Sequence, residues 1–267
     1  MVLFDDARDL RSWTLEHMSI VLEGILSREY PTFLRTIVKR GYGLESRVGR
    51  TREVLDLSLR LHHPEWCVVS RPGFSRGFME VEIAQLLGGK YDQEGLARYA
   101  PLAGDLITPD TAYGPRIKHQ LRLVRDELKK PGSRRAILFI GNTTDLAATH
   151  YSLARNEEMP CTISIQFLLR DRRLHGIVGM RSWDMVWGLS YDVPSFVAVQ
   201  KALARDLGCD IGQMTVHAGS AHVYERHWDL EASSSRDGFL EIPWLEDTIE
   251  GTQIAASRRV RGWDEQL

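Results

Sequence analysis

The chain has 267 residues, 43% of them hydrophobic and 26% charged, and a net charge of −2. This composition excludes a disordered tail or a fibre, and the charge gives no global pull toward nucleic acid. No apolar run nears the roughly 18 residues of a membrane helix. The start, Met1-Val2-Leu3-Phe4-Asp5-Asp6, is acidic where a secretory signal is basic, and Cys67, Cys161 and Cys209 are too scattered for a disulfide framework or a zinc pair. A cytoplasmic protein with neither nucleic-acid nor membrane partners is expected.

Leu15, Met18, Leu22 and Leu26 fall at helical spacing, so residues 1–45 read as a helical extension closed by Gly41-Tyr42-Gly43. Leu55, Leu57, Leu59 and Leu61 alternate with Asp56, Ser58 and Arg60, the period of a half-buried strand. A short strand is expected at Cys67–Ser70. A helix follows at Met79–Leu87, stopped by Gly88-Gly89. An amphipathic helix at Ile117–Lys130 closes at Pro131-Gly132 and leads into a buried strand at Ala136–Ile140.

Thr162 to Leu169 alternates, with Ile163, Ile165, Phe167 and Leu169 on one face and Thr162, Ser164 and Gln166 on the other. Leu174–Met180 reads as its hairpin partner across Asp171-Arg172-Arg173. Phe196, Val199, Leu203 and Leu207 mark a helix from Val193 to Leu207, and Met214–His217 and Ala221–Tyr224 read as short strands. Hairpin strands mixed with helices argue an α+β fold rather than repeated βαβ units.

Gly73-Phe74-Ser75-Arg76-Gly77 matches G-x-S-x-G and precedes a helix, the setting of a serine nucleophile. Little strand lies upstream to build the sheet and oxyanion loop of such a hydrolase. His217, His222 and His227 are spaced so that neither a strand nor a helix converges them, so no metal is expected. There is no Walker loop and no dinucleotide fingerprint. Cys161 follows Pro160 and opens a strand whose other face is polar, which would aim a thiol into a cleft. A reactive thiol needs cations nearby, and Arg134, Arg135 and Arg181 head or end neighbouring strands.

In chain order come Pro160-Cys161 with Gln166-Phe167, then Arg181-Ser182-Trp183-Asp184, then Gly188-Leu189-Ser190-Tyr191-Asp192, then His222-Val223-Tyr224. Upstream lie Arg50-Thr51, Glu82 in its helix, Tyr113-Gly114 and Ser133-Arg134-Arg135. The series resembles the thymidylate synthase family over residues 45 to 230. The resemblance implies a single domain over residues 46–267, a mixed sheet flanked by helices, and a homodimer joined through that sheet. It further implies a pyrimidine nucleoside monophosphate as substrate and 5,10-methylenetetrahydrofolate as co-substrate, with no metal.

Carried over position by position, Cys161 is the nucleophile that adds to C6 of the pyrimidine, activating C5 toward the folate one-carbon unit. Glu82 organises proton transfer, with Tyr113 nearby. Gln166 and residue 192 face the base. Arg50, Arg181 and Ser182, with Arg134 and Arg135 of the partner subunit, hold the phosphate. His222 and Tyr224 hold the sugar; Asp184 and Gly188 face the folate.

The chain departs from the family pattern where the family has Asn and this chain has Asp192. An Asn side chain matches the N3–H and O4 edge of uracil, whereas a carboxyl group accepts from the 4-amino group of cytosine and shares a proton with N3. Asp at this position resembles the cytidylate hydroxymethylase branch. No Trp lies between Trp66 and Trp183, so the aromatic residues that enclose the folate there are missing, which favours water capture over hydride transfer. The family's His after the nucleophile is Thr162 here. The expectation is a 5-hydroxymethyltransferase acting on dCMP, with CMP open. The alternatives are a thymidylate synthase methylating dUMP, a serine hydrolase using Ser75, and a non-catalytic nucleotide-binding homologue.

Overall fold

The structure is a computed structural model, described here for residues 18–22, 26–69, 71–100, 107–151, 159–230, 240–242, 245 and 249–262. The chain divides into two compact units. The first holds residues 1–74, 177–193 and 212–240, and the second 75–176, 194–211 and 241–267.

In the first unit, strand β1 (Met18–Leu22) runs parallel to β3 (Gly49–Leu61), and β2 (Tyr42–Ser46) pairs antiparallel with the start of β3. The hydrogen-bonded order is β1-β3-β7-β6, where β6 is Arg173–Asp184 and β7 is Asp210–Tyr224. β3 and β7 are antiparallel, from Thr51 opposite Tyr224 to Leu61 opposite Met214. With one parallel pair among antiparallel ones, the sheet is mixed, as the resemblance implies.

Helix α1 (Leu26–Arg40) lies beside β3 and buries Tyr30, Phe33, Leu34 and Ile37. Each such side chain contributes about 1.5–3 kcal/mol. Together they outweigh the roughly 3 kcal/mol that Pro31 costs inside the helix.

The helical spacing of Met18 and Leu22 misled: residues 18–22 are a strand, and Tyr42 opens another. Leu15 lies outside the described residues. The leucine alternation in β3 also breaks. Leu57, Leu59 and Leu61 are buried, but Leu55 is 43% exposed and Val54 takes the inner face. The reason is Asp56, whose φ of 52° turns the strand so that the buried face changes phase. The facing strand β7 changes phase at Gly219, where a Cβ would stand 3.1 Å from the Arg181 carbonyl oxygen, and β6 changes phase just beyond Arg181. This glycine lets β7 run unbroken where two short strands are expected. No strand forms over Cys67–Val69, which follows a 3₁₀ turn at Pro64–Trp66; Ser70 lies outside the described residues.

The second unit begins with α2 (Arg76–Gly88). The Ser75 hydroxyl accepts from the Phe78 amide at 3.1 Å, capping the helix start, and Gly89 ends it at φ 63°. There follow α3 (Gln93–Ala97), α4 (Tyr113–Ile117) and α5 (Gln120–Leu128); the helix expected at Ile117–Lys130 is the shorter α5, and Ile117 instead ends α4. β4 (Ile137–Phe139) pairs antiparallel with β5 (Thr162–Arg170), and α6 (Thr143–Tyr151) lies between them in sequence. β5 turns into β6 through Asp171 and Arg172, both at positive φ, which is the two-residue hairpin whose twist suits the strands.

Helix α7 (Trp187–Leu207) starts six residues before the expected Val193, because Asp184 Oδ1 accepts from the amides of Val186 (2.8 Å) and Trp187 (3.2 Å) and caps it there. The unit boundary falls within this helix, at Val193/Pro194. Helix α8 (Ile249–Gly262) packs on α2, with Arg259 Nη2 on Glu80 Oε2 at 2.5 Å.

Candidate active-site residues and their setting

The second unit holds Cys161, the candidate nucleophile, together with the candidate proton-transfer residues Glu82 and Tyr113. Cys161 stands at the mouth of β5, just after the buried Pro160, and is half-buried rather than sealed in the core. The polar face expected beside it is only partly open: Thr162 is fully buried, while Ile163 is 37% exposed. The Thr162 amide donates to Tyr113 Oη at 3.2 Å, so the phenol reaches the residue next to the thiol.

Helix α4 holds that phenol in place. Arg116, one turn from Tyr113, donates to the Ile140 carbonyl (2.6 Å) and forms an ion pair with the largely buried Asp145 (2.7 Å). Gly114 makes the close approach to α2 feasible. A Cβ there would lie 2.5 Å from the carbonyl oxygens of both Gln85 and Lys90. The Tyr-Gly pair thus has a packing logic: the glycine lets α4 dock, and the docked helix presents the tyrosine.

Glu82 projects from α2, half-buried, with Oε2 sealed from solvent. Burial pushes its carboxyl up to about 7, against the pull of the Ser195 hydroxyl. A carboxyl poised there can both give and take a proton near neutral pH. Ser195 is buried on α7, three residues after Asp192.

Gln166 Nε2 donates to the Arg134 carbonyl at 2.8 Å and ties β5 to the arginine pair. Arg134 and Arg135 are exposed. Arg135 Nε meets Glu127 at 3.0 Å, and Lys130, Ser133 and Arg135 together hold the Glu127 carboxyl down to about 2.

The first unit carries the remaining candidates. Arg50 reaches Glu225 at 2.9 Å and Glu45 at 3.0 Å and lies over the Trp228 ring. Its side chain remains 57% exposed, so these pairs are weak and exchangeable. Arg181 is exposed at the phase change of β6, and Ser182 beside it is half-buried.

His222 and Tyr224 stand on one face of β7 with their rings edge to face at 5.1 Å, and Arg226 lies over the Tyr224 ring. Burial lowers the His222 pKa below its ordinary value. Arg181 and Arg226 act in the same direction, against Asp184 and Glu53. Its carbonyl accepts from the Met185 amide at 2.9 Å, fixing it beside the cap of α7. Among the described residues, no three His, Cys, Asp or Glu side chains are grouped to hold a metal ion, and no helix is long and apolar enough to cross a membrane.

On α7, Asp192 sits one turn after Gly188. A Cβ on Gly188 would come within 3.0 Å of Asp192 Oδ2 and 3.2 Å of Trp183 Cδ1. The missing side chain is the space in which the carboxylate rests. Arg71, which no motif marked, packs against the same turns. Its only sequence signal is a cation just before Pro72-Gly73.

The family model described as thymidylate synthase matches residues 108–254, more than half of the chain, and the chain belongs to that family. Thymidylate synthases of Bacillus phage phi3T and Bacillus atrophaeus are each 30% identical over 135 residues, 49% of this chain and 43% and 53% of theirs. That of Staphylococcus haemolyticus is 27% identical over 122 residues, 45% of this chain and 36% of its own. The chain thus spans about half the length, or less, of these curated relatives.

Proposed function

We propose that the protein transfers a one-carbon unit to C5 of a cytosine nucleoside monophosphate, dCMP in preference to CMP, and delivers it as a hydroxymethyl group. The observation that carries the cytosine assignment is Asp192, with Gly188 leaving room for its carboxylate. A carboxyl accepts from the 4-amino group of cytosine, an edge that an asparagine would meet only by reversing its amide.

In this reading the Cys161 thiolate adds to C6, and the electrons displaced onto C5 make that carbon nucleophilic. Glu82, with its carboxyl near pH 7, moves protons to and from the ring and its substituents, and Tyr113 steadies the backbone beside the thiol. Bound 5,10-methylenetetrahydrofolate supplies the one-carbon unit at the oxidation level of formaldehyde. The residues around Asp184 suit a folate: the carboxylate can take hydrogen bonds from an amino-substituted heterocycle. Trp183 Nε1 is a buried donor without a partner that can serve its carbonyl. Water completes a hydroxymethyl product, and departure of the Cys161 sulfur restores the ring.

Arg50, Arg181 and Ser182 hold the phosphate, with Arg134 and Arg135 supplied by the partner of a cytoplasmic homodimer. Exposed apolar side chains on its strands, among them Leu55, Phe139 and Ile163, support a sheet-mediated dimer. His222 and Tyr224 hold the sugar, and Asp184 and Gly188 face the folate. Gln166 and Asp192 face the base.

The second reading, methylation of dUMP, is favoured by the name thymidylate synthase that the relatives carry. The hydrolase reading loses its main support, since the Ser75 hydroxyl serves as a helix cap. Asp192→Asn separates the first two. The variant should turn preference from the cytosine toward the uracil nucleotide, and an unchanged preference would remove the cytosine assignment. Cys161→Ser should abolish turnover while nucleotide still binds; full turnover in that variant would leave only a non-covalent reaction.

A further inference from the structure

We propose that Arg71 is a positioning residue for base selection: it clamps the first two turns of α7 and thereby fixes where the Asp192 carboxylate stands. The base-selection part rests on the reading of Asp192 given above.

Arg71 is 7% exposed. Its Nε donates to the Val186 carbonyl (3.0 Å) and the Ser190 hydroxyl (2.9 Å), and its Nη1 to the Pro72 carbonyl (3.1 Å). The Ser190 hydroxyl in turn donates to the Val186 carbonyl at 2.6 Å. The guanidinium carbon lies 5.1 Å from the Trp187 ring centre and 5.5 Å from that of Tyr191. These two residues are four apart and so share one helix face. Phe74 stacks on Tyr191 at 5.4 Å, with the ring planes 14° apart. One side chain therefore grips residues 186, 187, 190 and 191, and Asp192 is the next residue. The Asp184 cap secures the amide end of the same turn. Because even a Cβ on Gly188 would stand 3.0 Å from Asp192 Oδ2, the space is tight, and a small rotation of these turns would move the carboxylate off its resting place.

The alternative is a filler of the core, and the chemistry argues against it. A buried cation costs several kcal/mol, and an apolar side chain of similar volume fills such a space at no such cost. Nη2 even remains buried without a hydrogen-bond partner. What arginine adds over methionine is the planar, directional fork, together with stacking on two rings.

The test compares wild type with Arg71→Met and Arg71→Lys. Calorimetry gives the dissociation constants for dCMP and dUMP, and amide hydrogen exchange is followed over residues 186–192 without nucleotide. Whichever base the wild type prefers, the ratio of the two constants should shrink about tenfold in Arg71→Met, the worth of one charge-assisted hydrogen bond. It should shrink less in Arg71→Lys, and exchange over 186–192 should quicken in both while the rest of the core keeps its protection. An unchanged ratio and unchanged exchange in folded variants would overturn the proposal. A wild type that does not discriminate the bases would instead refute the Asp192 reading; exchange then decides the clamp, accelerated exchange supporting it and unaltered exchange ending it. Should Arg71→Met fail to fold, Arg71→Lys carries the same comparison.

Discussion

The missing side chain of Gly188 and the carboxylate of Asp192 are two halves of one feature: a Cβ on the glycine would stand 3.0 Å from Asp192 Oδ2. Gly188→Ala should push the carboxylate aside and weaken discrimination between cytosine and uracil nucleotides about tenfold. The stability loss should be modest, about 1–2 kcal/mol, as expected for a slightly overfilled site. Competition binding of the two nucleotides, paired with a urea melt, measures both effects. Full discrimination in a folded Gly188→Ala would separate the notch from base reading.

Gly114 makes a different demand. A Cβ there meets two backbone oxygens at 2.5 Å, and backbone cannot swing away as a side chain can. Gly114→Ala should destabilise the protein by about 1–3 kcal/mol and displace Tyr113 from the Thr162 amide. Tyr113→Phe should be gentler on stability, because it removes the hydroxyl that accepts from the Thr162 amide, and such a bond is worth about 1 kcal/mol. Thermal melts of both variants, with the alkylation rate of Cys161 as a local readout, test this ordering.

Glu82 sets a pH dependence whose sign is fixed. Its folded-state pKa, about 7, lies above the value of an ordinary carboxyl, so the folded form holds the proton more tightly. The stability this contributes is fully present below about pH 4.5 and is lost as pH rises through 7. Glu82→Gln carries no such titration, so its melting temperature should gain on that of the wild type between pH 5 and 8. The same variant should lose about 10²–10⁴-fold in kcat with little change in nucleotide binding. A wild-type pH–rate profile with no limb near 7 would assign the proton transfers to another group.

Asp56 tests the phase change of the sheet. Its φ of 52° suits Asp, Asn and Gly but not a branched side chain. Asp56→Val should cost about 1–3 kcal/mol, whereas Asp56→Asn should be nearly neutral. Chemical denaturation of the two variants compares them directly.

Local features were legible because their causes are local. The turn at Asp171-Arg172, the Gly89 stop and the strand from Thr162 all follow from neighbours in sequence. The cap at Asp184 was also within reach, since an acid just before Trp187 is a helix-start signal; the later apolar periodicity drew the boundary to Val193 instead. β1 was hidden because Met18 and Leu22 fit a helix equally well, and only pairing with Leu57–Leu61 makes them a strand. The exposure of Leu55 depends on a backbone angle at Asp56 that no pattern of leucines reports. Among the candidate site residues, Cys161, Glu82, Tyr113 and Asp192 stand out in the sequence as ordered motif positions. Arg71 does not, because its partners lie more than a hundred residues away.

The central claim is the identity of the base and of the group added to it. Wild-type protein incubated with 5,10-methylenetetrahydrofolate and dCMP, CMP or dUMP in turn, with each product weighed by mass spectrometry, tests it most directly. The account predicts that dCMP gains one CH₂O while tetrahydrofolate is released. A dUMP product that gains one CH₂ with formation of dihydrofolate, and no reaction of either cytosine nucleotide, would contradict it.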